Sequence, residues 1–368
     1  MIIKDIQIFH YDLPLLRAVK VGKRVINSRE GFILKVTANE GSSGFGEIAP
    51  LPGISKETLE ESARQIFGVR PYLMNQSFPS HIIHLKGAFE NWLKEWRLKS
   101  SVRFGLEMAL LNLVAASKKI PLPRLFSRYC HEVIPLNGLL KGSREEILAQ
   151  AQGMIANGFR SLKIKVGEDS VPEDINRVLA LSAITGNQAL LRLDANQAWS
   201  VEEAIHFGQA VGCAAVEYIE EPFAEIERIP EFYNETTIPV ALDESLKEIN
   251  FPKMKSLSGI EVFVLKPTVL GGIERTWQLM QKAHAQGIQT TISSSYETGI
   301  GLTMLADLTA SQRTMIPAGL DTLKYFQEDL LSQPRNGLKG LWHTQPEVLK
   351  DQDVNIRLLT EIPTYPPL

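Results

Sequence analysis

Between Arg160 and Gly272 the chain repeats one pattern: a short apolar run that ends in, or carries, charged residues. The runs are RSLKIKVG, LLRLDAN, VEYIEEP, PVALDES and VFVLKP, which present Lys163 and Lys165, then Asp194, Glu220, Asp243 and Lys266. From Lys165 onward the carriers are 23 to 29 residues apart, close to the ~31 residues per strand-helix unit of a ~250-residue eight-fold barrel. Few folds repeat so regularly. With VIPLNGLL (133 to 140) as barrel strand one, the lysine pair falls on strand two, the acids on strands three, four and five, and Lys266 on strand six. Strands two and six of a closed barrel are diametrically opposed, so two amines are expected to face each other across three carboxylates.

The rest of the chain fits a barrel with a smaller domain attached. Residues 2 to 12 and 31 to 38 alternate apolar and polar side chains and read as strands, and GSSGFGE follows as a third. Pro14 to Ser28 and the proline-rich APLPG at 49 to 53 read as loops, both candidate lids. GSSGFGE contains a G-x-x-G-x-G string, but no helix follows it, so a phosphate loop is rejected and its glycines are assigned to a hairpin. Ser55 is expected to cap one helix, and a second, of strong apolar period, covers Val102 to Lys118. From Ile134 the rhythm becomes strand, loop, helix. Ser200-x-x-Glu203 is a capping box, Asp169 or Ser170 with Pro172 opens another helix, and Gly158, Gly212 and Gly287 mark helix ends. The last strands are expected at 288 to 295 and 318 to 322. The reading is an α/β chain: an α+β capping domain over 1–120, joined by the C-terminal segment 331–368, and a modified (β/α)8 barrel over 121–330.

Composition closes off other function classes. A net charge of -3 over 368 residues offers no broad positive field, so no nucleic-acid partner is expected and the substrate should be small. No window of eighteen apolar residues and no signal-like N-terminus occur, so no membrane role is expected. Cys130 and Cys213 form no CxxC pair and read as packing residues, which with the missing signal favours a cytoplasmic location.

Barrel active sites lie at the C-terminal ends of the strands, where all six charged groups fall. Three converging carboxylates repel by several kcal/mol unless a cation lies between them. Asp194, Glu220 and Asp243, with no His or Cys among them, form a hard all-oxygen set that selects Mg²⁺, with Mn²⁺ as the substitute. Lys163 and Lys165 are two apart on a strand and share a face. A cationic neighbour and a nearby metal favour a neutral Lys165, the form a general base requires. Such a base beside a divalent ion suits removal of a proton α to a carboxylate, and the handling of an ene-diolate by a lysine base with Mg²⁺ is the general pattern of enolase-type sites. Hydrolysis by metal-activated water is the competing use of the ion, but it leaves the second amine unexplained. An ion-pair network with no metal is the structural alternative.

Motifs at these positions, KIK at 163 to 165, LDAN, IEEP, LDES and LKPT, resemble the enolase superfamily in its muconate-lactonizing branch, over essentially the whole chain. Within that branch GEIAPLPGISKET (46 to 58), LRLDANQAW (191 to 199), ALDESL (241 to 246), ISSSYETGIGL (292 to 302) and PAGLDTLKYF (317 to 326) are similar to the o-succinylbenzoate synthase family. The resemblance implies an enolase-type barrel under a capping domain, Mg²⁺ on Asp194, Glu220 and Asp243, and Glu220 in place of Glu221 as the ligand of the EEP motif. It implies a syn dehydration in menaquinone biosynthesis, with Lys165 moving the α-proton and Lys266 stabilising the intermediate from the other face. Lys163, Ser293 and Ser295 are candidate contacts to the carboxylate substrate, and Arg192 either reaches a substrate carboxylate through water or pairs with an acid. N-succinylamino acid racemases and dipeptide epimerases of the same branch share the two-lysine, three-acid core. A dipeptide epimerase is expected to carry Asp-x-Asp where this chain has GLDT at 319 to 322. A barrel that only binds a carboxylate, without chemistry, is disfavoured because all six polar positions are intact.

Overall fold

The computed structural model describes residues 1–22, 24–80, 85–248, 258–335, 337 and 339–364. The end of the C-terminal segment, 365–368, lies outside them.

The N-terminal strands β1 (Ile3–Val21), β2 (Arg24–Ala38) and β3 (Ser43–Ile48) form an antiparallel sheet, extended at its β1 edge by the short C-terminal strand Thr360–Glu361. Pro14 to Ser28, expected as a loop, continues the β1–β2 hairpin: pairing resumes from Val19↔Ile26 to Val21↔Arg24 after an irregularity beyond Pro14. The irregular stretch hid the second half of the ribbon from a period-two reading.

Helices α1 (Leu59–Leu73), α2 (Ala88–Leu93) and α3 (Ser100–Lys118) accompany this sheet. Thr58, not Ser55, caps α1 in a reciprocal box with Glu61, while Ser55 Oγ accepts from the Leu51 amide. The glycines of GSSGFGE do more than turn the chain. A Cβ on Gly44 would stand 2.2 Å from Ala109 O, and one on Gly46 1.9 Å from Gly105 O. Their bare backbone lets α3 lie directly against β3, and only Gly41, at φ +94°, serves the turn.

Seven parallel strands follow: β5 (Gly138–Leu139), β6 (Ser161–Lys165), β7 (Leu190–Asp194), β8 (Val216–Glu220), β9 (Val240–Leu242), β10 (Ile260–Leu265) and β11 (Gln289–Ile292), after the short strand β4 (Val133–Pro135). They stand side by side in chain order. The run VIPLNGLL is divided: β4 pairs antiparallel with Leu341–His343, and only Gly138 and Leu139 join the parallel sheet. Ala318 and Gly319 bridge the two edges by single parallel contacts, Leu136↔Ala318 and Ser293↔Gly319, in place of a full eighth strand.

Helices α4 (Arg144–Ala156), α5 (Val171–Thr185), α6 (Val201–Ala210) and α7 (Ile229–Thr236) link successive strands. Ser143, Ser170 and Ser200 each make a capping box with the glutamate three residues on. Leu162, Ile164 and Val166 are buried, so the alternating positions Lys163 and Lys165 turn to the other face of β6.

Two buried side chains of the N-terminal sheet join it to the barrel. Arg29 donates to the carbonyls of Ala49 and Pro50 on its own side and of Ser295 and Tyr296 on the barrel side. Glu47 accepts from the Tyr11 hydroxyl, from Thr298 N and Oγ1, and from Gly301 N, which satisfies the N-terminus of the helix Gly299–Ala310.

Candidate active site

Strand register sets the level of the charged groups. Lys165 pairs with Asp194, and Asp194 with Glu220, so three neighbouring strands end in charged residues at one height. Asp243 follows the last residue of β9 and Lys266 the last residue of β10. Parallel pairing from β6 to β10 therefore holds five charged residues at one rim.

A cavity of about 400 Å³ opens above this rim, lined by Lys163, Lys165, Asp194, Lys266 and Ser293 to Ser295 together with Arg17 to Gly22 of the N-terminal hairpin. Both sheets thus contribute walls. The lysines of β6 and β10 reach it from strands separated by β7, β8 and β9.

Beneath the cavity the carboxylates are paired with lysines. Lys163 Nζ lies 2.8 Å from Asp194 Oδ2 and 2.5 Å from Glu220 Oε2, and Lys266 bonds to Asp243 Oδ2. Burial opposes charge on Asp194, but the Lys163 and Lys266 cations overcome it and hold that carboxyl below its ordinary range. Glu220 goes the other way: burial, then the neighbouring Asp194 charge, push it up to about 8. Burial likewise opposes the charge on Lys266, yet Asp243 and Glu220 raise it. The acids compete for too little positive charge.

The donor set fits a hard divalent ion. Three carboxylates end adjacent strands, no His or Cys is among them, and Glu220 Oε1 is buried without a hydrogen-bond partner. As the side chains stand, no group of three or more acidic, His or Cys side chains among the described residues is disposed to enclose an ion. The ammonium groups of Lys163 and Lys266 hold the acids instead.

Glu221 has a different task. Its Oε1 accepts from the amides of Asp243 and Ser245, and its Oε2 from Ser245 Oγ and Gln197 Nε2. With both oxygens occupied, it fixes the turns on either side of the acids. Asn196, which lines the cavity, donates to Glu244. Neither role was legible beforehand, because each depends on partners more than twenty residues away.

The remaining candidates divide. Ser293 is half-buried at the cavity, Ser294 shares a 2.7 Å bond with Thr322, and Ser295 Oγ is buried and unpaired among the described residues. Arg192 is not among the residues lining the cavity. Its guanidinium is fully buried, donates twice to Glu217 at 2.7 and 3.0 Å and once to Pro317 O, and lies over the Tyr218 ring. Lys141, absent from the sequence candidates, also lines the cavity, and it follows the first apolar run just as Lys266 follows its own. Cys130 is half-buried and Cys213 exposed, so only the first packs as expected; both are free thiols.

Comparisons with known proteins identify the family. Residues 3–113 match the family described as "MenC, N-terminal domain", and residues 146–343 the "Enolase C-terminal domain-like" family. The o-succinylbenzoate synthase of Haemophilus influenzae is 31% identical over 89% of this chain and 92% of its own length. The chloroplastic protein PHYLLO of Arabidopsis thaliana is 34% identical over 74% of this chain, a match that spans only 17% of that much longer protein. A muconate lactonizing enzyme from Pseudomonas fluorescens superposes with a TM-score of 0.86 over 97% of both chains at 22% identity, a likeness of fold. By sequence over most of its length, the chain belongs to the o-succinylbenzoate synthase family of the enolase superfamily.

Proposed function

We propose that the chain is a hydro-lyase that dehydrates 2-succinyl-6-hydroxy-2,4-cyclohexadiene-1-carboxylate to o-succinylbenzoate, a step of menaquinone biosynthesis. The observation that carries the reading is the placement of Lys165 and Lys266 on one cavity, from strands with three acid-bearing strand ends between them.

In this reading the neutral amine of Lys165 takes the proton from the ring carbon that bears the carboxylate. The electron pair left behind moves into that carboxylate. Its return expels the hydroxyl from the neighbouring carbon, and Lys165, now an ammonium, gives the same proton to the departing oxygen. One C–H and one C–O bond break, water leaves, and the ring becomes aromatic. A single residue serving both transfers requires the proton and hydroxyl to leave from the same face. Lys266, from the opposite strand, places a fixed cation over the other face of the ring, where it attracts the π system.

Asp194, Glu220 and Asp243 would hold Mg²⁺, or Mn²⁺ in its place, which supplies positive charge beside the ring carboxylate as it gains the electron pair. Lys163, at the same rim, shares the charge of Asp194 and Glu220. Ser293 and Ser295 offer hydroxyls to the succinyl arm.

The racemase of N-succinyl amino acids is the competing reading, because it uses the same two amines as opposed bases. The dipeptide epimerase is weaker: Asp321 is the one acid of GLDT, and it is already bonded to Lys324 and to the Leu139 amide. No described helix is long and apolar enough to cross a membrane. A cytoplasmic location completes the proposal.

The test is direct. Purified protein with Mg²⁺ is given the cyclohexadiene substrate and, separately, N-succinyl amino acids in deuterated water. Aromatic product forming faster than deuterium enters the amino acids is the expected result; faster exchange would assign the chain to the racemases.

A further inference from the structure

We propose that Lys141, framed by Tyr296 and Tyr325, is a carboxylate subsite that takes the far end of the succinyl arm and selects for a dicarboxylate substrate. This rests on the dehydration reading, which supplies a ligand with two carboxylates.

Of the lysine and arginine side chains that line the cavity, Lys141 alone has no carboxylate partner among the described residues. Arg17 has Glu146 at 3.7 Å, Lys20 has Glu168 at 2.8 Å, Lys165 has Glu168 at 3.7 Å, and Arg177 has Asp169 at 2.6 Å. Lys163 and Lys266 are held by the three acids. Lys141 instead donates to the Tyr296 hydroxyl, its Nζ 5.1 Å from the Tyr296 ring centre and 5.8 Å from that of Tyr325. Burial, and then the Lys165 cation, bring its amine down to about 8 against the Glu168 charge, which lies beyond ion-pair distance. An anion arriving beside it would relieve both effects.

The site is built firmly enough to recognise something. The amide of Gln150 clamps the Lys141 backbone from both sides, accepting from its N–H at 3.3 Å and donating to its carbonyl at 2.6 Å. Tyr296 takes a left-handed φ of +58°, a conformation that costs a tyrosine energy, and its carbonyl is held by buried Arg29. The two ring centres lie 5.9 Å apart. This framing leaves the ammonium little freedom to follow a ligand, which favours a carboxylate at one fixed distance from the acids.

Position supports the same ligand. Lys141 follows β5, at one end of the seven-strand order, and Tyr296 follows β11 at the other, so the pair closes the rim across the gap from the acid-bearing strands β7 to β9. A substrate with one carboxylate near Asp194 and Glu220 would extend a second toward Lys141. Ser293 and Ser295 lie along that side of the cavity.

The experiment compares two ligands on the full chain with Mg²⁺ by calorimetry: o-succinylbenzoate, and 2-butyrylbenzoate, in which a methyl group replaces the terminal carboxylate. The parent is expected to prefer the first by about tenfold or more, as one charge-assisted bond implies. Lys141→Met should remove that preference by weakening only o-succinylbenzoate, Lys141→Arg should restore much of it, and KM should rise more than kcat falls. Melting temperatures near the parent's establish that the variants fold. A preference unchanged in Lys141→Met, or equal weakening of both ligands, would overturn the assignment while parental turnover leaves the dehydration reading standing. A parent chain without turnover on the cyclohexadiene would overturn both.

Discussion

Lys163 Nζ sits 2.5 Å from Glu220 Oε2 and 2.8 Å from Asp194 Oδ2, so one ammonium from β6 binds together the carboxylates that end β7 and β8. Glu220 is fully buried, while the Lys163 and Asp194 side chains keep 15% and 12% of their exposure and face the cavity. The same lysine is then a structural counter-ion before it is anything else.

Lys163→Met should therefore destabilise the metal-free protein by about 3 kcal/mol or more, the usual consequence of leaving buried carboxylates without their partner. Added Mg²⁺ should recover part of the loss, because a divalent ion can take over the neutralising role. Thermal unfolding with and without Mg²⁺ measures both. A variant that melts like the parent without metal would mean the pair carries no net stability.

Glu47 is the corresponding bond between the two sheets. Glu47→Ala strands the Tyr11 hydroxyl, the Thr298 amide and hydroxyl and the Gly301 amide in a buried setting, all of them donors to this carboxylate. The expected cost is on the order of 3 kcal/mol. Because Thr298 caps the helix that follows Ser293 to Ser295 and Tyr296, substrate affinity should fall as well. Urea unfolding and KM read the two effects separately.

Asp307, buried on the helix Gly299–Ala310, gives a pH dependence of stability. Burial raises its carboxyl to about 8, and the Arg335 charge offsets this only in part. The folded value lies above the unfolded one, so the contribution is fully present below about pH 4 and is lost as pH rises through about 8. Asp307→Asn, which stays neutral, should lose less melting temperature than the parent between pH 5 and pH 9. Parallel melting curves for the two proteins across that range would contradict this.

How far the sequence disclosed these features depended on whether their causes were local. Lys163, Lys165, Asp194, Glu220, Asp243 and Lys266 were legible because strand alternation and a regular repeat fix which residues reach a barrel rim. The division of VIPLNGLL between two sheets was not, since the partner of Val133–Pro135 lies at Leu341–His343, two hundred residues on. Gly44 and Gly46 were read as turn formers because only the contact with α3 reveals what a side chain there would strike. For Arg192 the sequence leaves a substrate carboxylate and an acid partner equally open, and only the fold brings Glu217 and Pro317 to its donors. Lys141 follows the run VIPLNGLL as Lys266 follows its own, but its framing by Tyr296 and Tyr325 depends on residues more than 150 positions away.

Lys165, at the rim of β6, carries the proton in the proposed dehydration. Its side chain is about one-third exposed to the cavity and pairs only loosely with Glu168, so its removal should leave the fold intact. The decisive measurement is kcat/KM of Lys165→Ala on the cyclohexadiene substrate with Mg²⁺, beside its melting temperature. The expected result is a loss of about 10³-fold or more with melting within a few degrees of the parent; a folded variant that turns over near the parental rate would contradict it.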